Sequence, residues 1–203
     1  VLAATGKSAL ADQLLAMLTR YQGLHVIALT HTDMTRTATR LSDAGIDMQD
    51  AVNLRRKVMV DSTETLMEFT VARVKPGTFP EGRLQILTCH TPENFWLPGD
   101  MDHANRADTL TDLLICVEDI AEATARYERF FGKASEKMGG LGTLDLARGR
   151  FHFVTLDQAG TMLQGFDAPT LPYTCGQGLG SQDLTATRSF LSGAGIMPVY
   201  EDD

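Results

Sequence analysis

The sequence predicts an α+β fold made of repeated strand–helix units, some of which are followed by a run of further strands. In three stretches a short apolar strand precedes an Asp that begins a helix and a Gly that ends it; these aspartates are Asp33, Asp119 and Asp183. Asp is a common N-cap residue, and Gly is common where a helix ends. Because one small strand–helix unit cannot bury its apolar face alone, several units are expected to pack together.

The first part of the chain is predicted to contain a helix, a strand–helix unit and three strands. Leucines recur at helical spacing within residues 8–21, and residues 24–29 form an apolar strand before Asp33. Residues 52–90 contain three strand-like segments that are separated by turn-forming pairs of residues. The predicted strands cover residues 53–61, 66–74 and 82–90.

The rest of the chain repeats this order with fewer strands. A loop rich in Pro, Gly, Asp and Asn covers residues 91–109. An apolar strand over residues 113–117 and the helix after Asp119 follow it. A hairpin then turns at Arg148-Gly149, and a weaker strand near residues 178–180 begins the third unit. The predicted hairpin strands cover residues 141–146 and 150–156.

This order of elements divides the chain into four parts. They are the end of a preceding module with a linking helix (1–23), a βαβββ module (24–108), a βαββ module (109–168) and the start of a further βα module (169–203). Both ends are expected to interrupt a module. The first residues resemble the end of a strand, and the chain stops soon after its third capped helix.

Composition and charge exclude several classes of function. The chain has 203 residues, 43% of them hydrophobic, so it can bury a substantial core. Its net charge of −8 disfavours nucleic-acid binding, because an acidic surface repels phosphate backbones. No apolar run approaches the ~20 residues of a membrane helix. The widely spaced Cys89, Cys116 and Cys175 indicate free thiols in a reducing cytoplasm.

Two short segments contain residues that are typical of chemical sites. Gly6-Lys7-Ser8 resembles the end of a phosphate-binding loop, but Val1 stands where that pattern needs a Gly, so a turn and a helix cap are the better interpretation. In the second segment, Cys89-His90-Thr91-Pro92-Glu93-Asn94-Phe95-Trp96, a His ends a strand and the only Trp of the chain follows. His90 is either a metal ligand or general base, or a hydrogen-bonded structural residue. Trp96 is either a wall of a binding site or part of the core packing.

The repeats and the His90 segment together resemble the glyoxalase-like branch of the vicinal oxygen chelate superfamily. Members of that branch carry a similar His-x-Thr-Pro-Glu-x-x-Trp segment, often followed by His-x-Asn-x-Ala, and His103-Ala104-Asn105-Arg106-Ala107 stands at that place here. The resemblance covers essentially the whole chain. It implies paired βαβββ modules whose mixed or antiparallel sheets curl into open half-barrel cups, with the helices on the outer face.

The resemblance also implies one divalent metal, such as Zn, Mn, Fe or Ni, bound in the cup by the opening and closing strands of the modules. His90 ends a closing strand and so matches a ligand position. On the opening strands the ligand position lies seven residues before the capping Asp, where Val26 cannot ligate a metal and Asp112 can. His152 is a further candidate. Asp112 and His152 belong to a different module from His90. The alternative interpretation is that they have no metal-binding role, with Asp112 at the start of its strand and His152 on the face of its strand.

Two functions follow from the resemblance. One is an isomerase, lyase or dioxygenase that acts on a small oxygen-rich molecule in the cup, with His90 as ligand or base, Glu93 as its partner, and His103 and Asn105 contributing from the loop. The other is a metal-free protein that binds and sequesters a small molecule, with Trp96 and the loop as a hydrophobic wall. The enzyme requires three ligand-type side chains in one cup, whereas the binding protein requires an apolar cup and a His90 that is hydrogen-bonded to protein.

For both functions the expected location is the cytoplasm and the expected partner is a small-molecule ligand, not nucleic acid or a membrane. A homodimer is compatible with a fold of paired modules, by analogy alone.

Overall fold

The computed structural model describes residues 9–163 and 165–197. The helices are α1 (Ala9–Leu18), α2 (Met34–Asp43), α3 (Pro98–Met101), α4 (Ile120–Phe131), α5 (Leu156–Met162) and α6 (Leu184–Gly193). The strands are β1 (Val26–Thr30), β2 (Val52–Val60), β3 (Thr63–Arg73), β4 (Arg83–Cys89), β5 (Ala107–Cys116), β6 (Glu136–Met138), β7 (Leu141–Leu146), β8 (Gly149–Val154) and β9 (Tyr173–Ser181). The Gly6-Lys7-Ser8 motif lies outside the described residues.

The strands form two mixed sheets, and each sheet contains a strand–helix unit followed by further strands. The first sheet has the order β1-β4-β3-β2, in which β1 is parallel to β4 and the other pairs are antiparallel. The second has the order β6-β7-β8-β5-β9, in which β5 is parallel to β8 and antiparallel to β9. Neither sheet closes into a barrel within the described residues. The predicted α+β fold of mixed sheets with flanking helices is confirmed.

The three predicted N-caps are confirmed. In each, a backbone N–H of the first turn donates to the Asp carboxylate: Arg36 to Asp33 at 2.8 Å, Glu122 to Asp119 at 3.0 Å and Ala186 to Asp183 at 2.9 Å. Gly132 ends α4 at a φ of 65°, which a residue without a Cβ adopts at little cost. None of the described helices is long and apolar enough to cross a membrane.

The two modules share one hydrophobic core. Leu41 of α2 and Tyr127 of α4 are fully buried in it, beside Leu84 of the first sheet and Ile115 of the second. A buried ion pair also joins the modules, because the guanidinium of Arg126 donates to both carboxylate oxygens of Glu81 at 2.7 and 2.8 Å. These contacts hold the modules side by side.

Three features of the second sheet differ from the sequence prediction. Strand β5 begins at Ala107, six residues early, because its first half is polar and lacks the apolar run that was used to recognise it. Strand β6 has only three residues and was missed. Strand β9 is longer than expected and pairs with β5 within the second sheet. Its alternating glycines give no apolar signal, and the four-part division of the chain stays a prediction.

Candidate functional site

Asp112 and His152 lie on the same face of the second sheet. Side chains alternate along a strand, and Leu113 and Ile115 of β5 pack in the core with α4. Asp112 therefore projects from the opposite face. His152 of β8 pairs with Leu114 and also projects from that face. The structure thus brings two of the three predicted metal ligands together.

A hydrogen-bond network holds this pair. His152 Nε2 lies 2.8 Å from Asp112 Oδ1, and its Nδ1 lies 3.1 Å from the Thr143 hydroxyl. Arg150 Nε donates to the same Asp112 oxygen at 2.9 Å. Burial alone would raise the pKa of Asp112, but hydrogen bonds from His152 and Thr111 and the charge of Arg150 outweigh it, so the pKa lies below its usual value.

The space around this cluster is largely occupied. A Cβ on Gly178 of β9 would lie 2.7 Å from Asp112 Oδ2, so the backbone of β9 approaches the carboxylate closely. Farther along the same face, Cys116, Val154 and Ala159 of α5 form a second buried cluster. The cluster of Asp112, His152, Thr143 and Arg150 therefore has hydrogen-bond partners within the fold and little room beside it.

The described residues do not fit a three-ligand metal centre at this place. Among residues 9–163 and 165–197, no three His, Cys, Asp or Glu side chains are grouped to hold a metal ion. In addition, the Arg150 guanidinium donates to the Asp112 oxygen that faces His152. Its positive charge would repel a metal cation at that place.

His90 lies in the first sheet, away from Asp112 and His152. Its Nε2 is 2.7 Å from the hydroxyl of Thr70. Thr70 of β3 pairs with Thr88 of β4, and both lie on the face of the sheet that packs against α2. Strands β1 and β4 of the first module correspond to β5 and β8 of the second. Ala28 of β1 pairs with Gln85, as Leu114 of β5 pairs with His152, so Gln85 occupies the position equivalent to His152. His90 is exposed and hydrogen-bonded to protein.

The opposite face of the first sheet carries two arginines. Arg83 is buried and donates to the Gln13 side chain at 2.9 Å, and Arg73 lies on the same face through its pairing with Gln85. The Nε atoms of both arginines are buried and have no hydrogen-bond partner in the described part of the chain. Burial, followed by the charge of Arg73, lowers the pKa of Arg83.

The other predicted site residues lie in the loop between the sheets. Glu93 is exposed in a short 3-10 turn. His103 is exposed beside a cavity of 160 Å³. Asn105 supports the fold, since its side-chain oxygen accepts the backbone N–H of Ala107 and its carbonyl accepts the hydroxyl of Thr187. Trp96 is 48% exposed and borders a much larger cavity.

This larger cavity lies between the two modules and has a volume of about 610 Å³. It lies against the end of β1, the inner side of α2, the end of α4, the loop before β5 and the β7–β8 turn. Its apolar lining residues are Ala28, Leu29, Ile86, Trp96, Met101, Leu110, Phe130, Phe131, Leu146 and Ala147. Several of them, including Leu110 and Met101, are large apolar side chains that remain exposed.

Polar groups occupy a few places in this cavity. Arg148 of the β7–β8 turn lies over the Trp96 ring, with its guanidinium carbon 5.2 Å from the ring centroid. Arg40 of α2 donates to the carbonyls of Arg129 and Phe130 at the end of α4. His31 and Asp108 also line the cavity. An apolar cavity with a few polar groups is the usual form of a small-molecule site.

The family of this chain is shown by its sequence. A family model described as a glyoxalase-like domain matches residues 2–131, which include the whole first module and the strand β5 with helix α4. The chain belongs to the glyoxalase-like domain family. The predicted resemblance to glyoxalase-like proteins is therefore confirmed, and Trp96 and His90 lie within the matched region, whereas His152 lies beyond it.

The solved structures that resemble this chain do so at low sequence identity. The crystal structure of a hypothetical protein from Staphylococcus aureus matches 72% of this chain with a TM-score of 0.54 and 11% identity. This chain spans 58% of that protein. The structure of a second hypothetical protein from S. aureus matches 66% of this chain and 93% of its own chain, with 10% identity. Its TM-score of 0.29 is too low to indicate a shared fold. No curated protein matches the chain.

Sequence reasoning missed the cationic residues of the cavity. Arg40, Arg148 and His31 come from three separate elements, and no local pattern connects them. Arg150 could have been found, because it is two residues before His152 on a strand and therefore shares its face.

Proposed function

We propose that this glyoxalase-like protein binds a small molecule in the cavity between its two modules. The observation that carries the proposal is the cavity itself, whose volume of about 610 Å³ lies within the range of about 300–1,000 Å³ that is usual for ligand pockets. Trp96 and other residues of the loop before β5 form one wall, as a binding protein of this fold would require. The hydrogen bond between His90 and Thr70 also agrees with that function.

An isomerase, lyase or dioxygenase is the second candidate. Its chemistry would depend on Asp112 and His152, since Asp112 could orient the imidazole for proton transfer to a small oxygen-rich molecule. Both nitrogens of His152 already face protein groups, and the residue is buried. A substrate would have to displace Thr143 or Asp112, so the open cavity is the better supported site.

The binding proposal is tested with N-phenyl-1-naphthylamine, a neutral apolar probe whose fluorescence rises on binding. The probe is titrated against wild-type protein, Trp96→Ala and Phe190→Ala. Phe190 is the matched control, because it is an aromatic residue of α6 outside the cavity with an exposure of 46%, against 48% for Trp96. Trp96→Ala is expected to raise the Kd about tenfold through lost apolar contact, and Phe190→Ala is expected to leave it unchanged.

Two outcomes would contradict the proposal. One is that the wild-type protein does not bind the probe at all. The other is that both variants bind it as tightly as the wild type, which would place the probe elsewhere on the molecule. Circular dichroism of each variant checks that it is folded.

The three cysteines are free thiols in the structure, and burial raises the pKa of Cys116 and, to about 11, that of Cys175. We propose a reducing compartment such as the cytoplasm for this protein, because oxidising compartments favour disulfides. The test is fractionation of the cells that produce it.

A further inference from the structure

The charges that line the cavity are opposite to those of the molecule as a whole. The chain carries 26 acidic and 18 basic residues, which gives a net charge of −8. Among the described residues that line the cavity, however, two arginines and one histidine face a single carboxylate, that of Asp108. A positive cavity in a negative protein favours an anionic ligand over a cationic one.

Arg40 contributes a charge that no carboxylate neutralises in the described residues. Its guanidinium donates to two main-chain carbonyls, that of Arg129 at 3.3 Å and that of Phe130 at 2.6 Å. These carbonyls are neutral acceptors at the negative end of the α4 dipole. They orient the guanidinium but do not neutralise its positive charge, which therefore remains at the cavity wall. Burial lowers the pKa of Arg40 because the charged form is partly removed from water.

Arg148 contributes a second cationic group to the lining of the cavity. It lies over the ring of Trp96, and no ion pair to it is found among the described carboxylates. Stacking on an aromatic ring holds the planar guanidinium while its N–H groups remain available for a carboxylate or a similar anion.

His31 adds a polar ring to the lining of the cavity. Its Nδ1 lies 3.1 Å from both the backbone nitrogen and the carbonyl oxygen of Asp33, and 2.9 Å from the Thr37 hydroxyl. In the described part of the chain Nε2 has no hydrogen-bond partner. The single carboxylate, Asp108, belongs to the start of β5 and lies next to β9, where its Oδ1 is 3.2 Å from the place of a Cβ on Gly180.

We propose that the ligand of this cavity is an organic anion with an apolar body, and that Arg148 recognises its anionic group. The inference rests on the proposed binding function and names the class of ligand. The body contacts the apolar walls around Trp96 and Phe131, and the anionic group lies near the arginines. A neutral molecule with the same body binds by apolar contact alone and therefore more weakly.

The test compares two probes with one apolar body. 8-Anilinonaphthalene-1-sulfonate carries a sulfonate, and N-phenyl-1-naphthylamine lacks it. Both are titrated against wild-type protein, Arg148→Gln and Arg56→Gln, with Arg56 as an exposed arginine of β2 outside the cavity. We expect the wild type to prefer the sulfonate about tenfold, and Arg148→Gln to remove most of that preference, measured as the ratio of the two Kd values for each protein. Arg56→Gln is expected to change neither Kd.

The possible failures are distinguishable. Equal binding of both probes by the wild type, or a preference that Arg148→Gln leaves intact, would overturn the anionic ligand and leave the binding function standing. Neutral-probe binding that does not depend on Trp96 would overturn the binding function instead. Raising the ionic strength is expected to weaken only the binding of the sulfonate, because screening acts on charge.

Discussion

The two modules share one order of elements but differ at the outer edge of their opening strands. In the second module, β5 lies between β8 and β9, and the backbone of β9 packs against Asp112. In the first module, β1 pairs only with β4 among the described strands, and residues 28–31 at the end of β1 line the cavity. One topology therefore gives an enclosed polar cluster in one module and an open cavity beside the other.

The comparison extends to the faces that lie opposite the helices. In the second sheet Asp112 accepts hydrogen bonds from Arg150 and His152, so the positive charge has a partner. In the first sheet the equivalent strands carry Val26 and Gln85, and Arg73 and Arg83 have no described carboxylate partner on that face. The topology alone does not determine a site, which depends on the residues that occupy equivalent positions.

The largest expected effect comes from breaking the buried ion pair between the modules. Glu81→Gln removes the buried carboxylate that both terminal nitrogens of Arg126 contact, and Glu81 is only 1% exposed as a side chain. We expect the free energy of unfolding in urea to fall by about 3 kcal/mol, because the buried Arg126 loses its buried partner and keeps only the exposed Glu122. Glu64→Gln removes the exposed ion pair with Lys57 and is expected to cost less than about 1 kcal/mol. Equal losses would contradict the expectation that the buried pair contributes more to stability than the exposed one.

A smaller effect is expected from filling the contact between β9 and β5. Gly178→Ala would bring a methyl group against Asp112 and Thr111 and is expected to cost about 2 kcal/mol through overpacking. Gly160→Ala in α5 is the matched control, since nothing lies within 4 Å of the added carbon. The control is expected to be neutral or slightly stabilising because Ala favours a helix. Thermal unfolding of both variants checks this, and a stable Gly178→Ala would contradict the close packing.

Removing the charge of the polar cluster is expected to have a smaller effect again. Asp112→Asn keeps the shape of the side chain but weakens the hydrogen bonds from His152 and Arg150. The free energy of unfolding is expected to fall by about 1–2 kcal/mol, while binding of the neutral probe in the cavity stays as in the wild type. Loss of probe binding in this variant would mean that the cluster and the cavity form one site.

The smallest effect concerns pH. The pKa of Asp112 in the folded state lies below its usual value of 3.8, so its ionised form stabilises the fold above that value. This stabilisation is lost as the pH falls through the folded pKa. The difference in unfolding free energy between wild type and Asp112→Asn is therefore expected to be constant near neutrality and to shrink in acid below about pH 4. A difference that grows in acid would contradict the direction of the shift.

The sequence predicted the repeated units well, whereas the functional roles of the candidate site residues stay predictions. Caps such as Asp33 and Asp119 are local signals, because one side chain contacts a backbone group three residues away. Strand alternation also places Asp112 and His152 on one face once their strands are paired. The cavity could not be predicted, since Arg40, Arg148 and Trp96 meet only after the two modules have packed together.

The most direct test of the central claim is a crystal structure of the protein grown with 8-anilinonaphthalene-1-sulfonate. We predict that the rings lie between β1, the end of α4 and Trp96, with the sulfonate at hydrogen-bonding distance from Arg148. A probe that lies only on another surface, or a cavity filled by another segment of protein, would contradict the account.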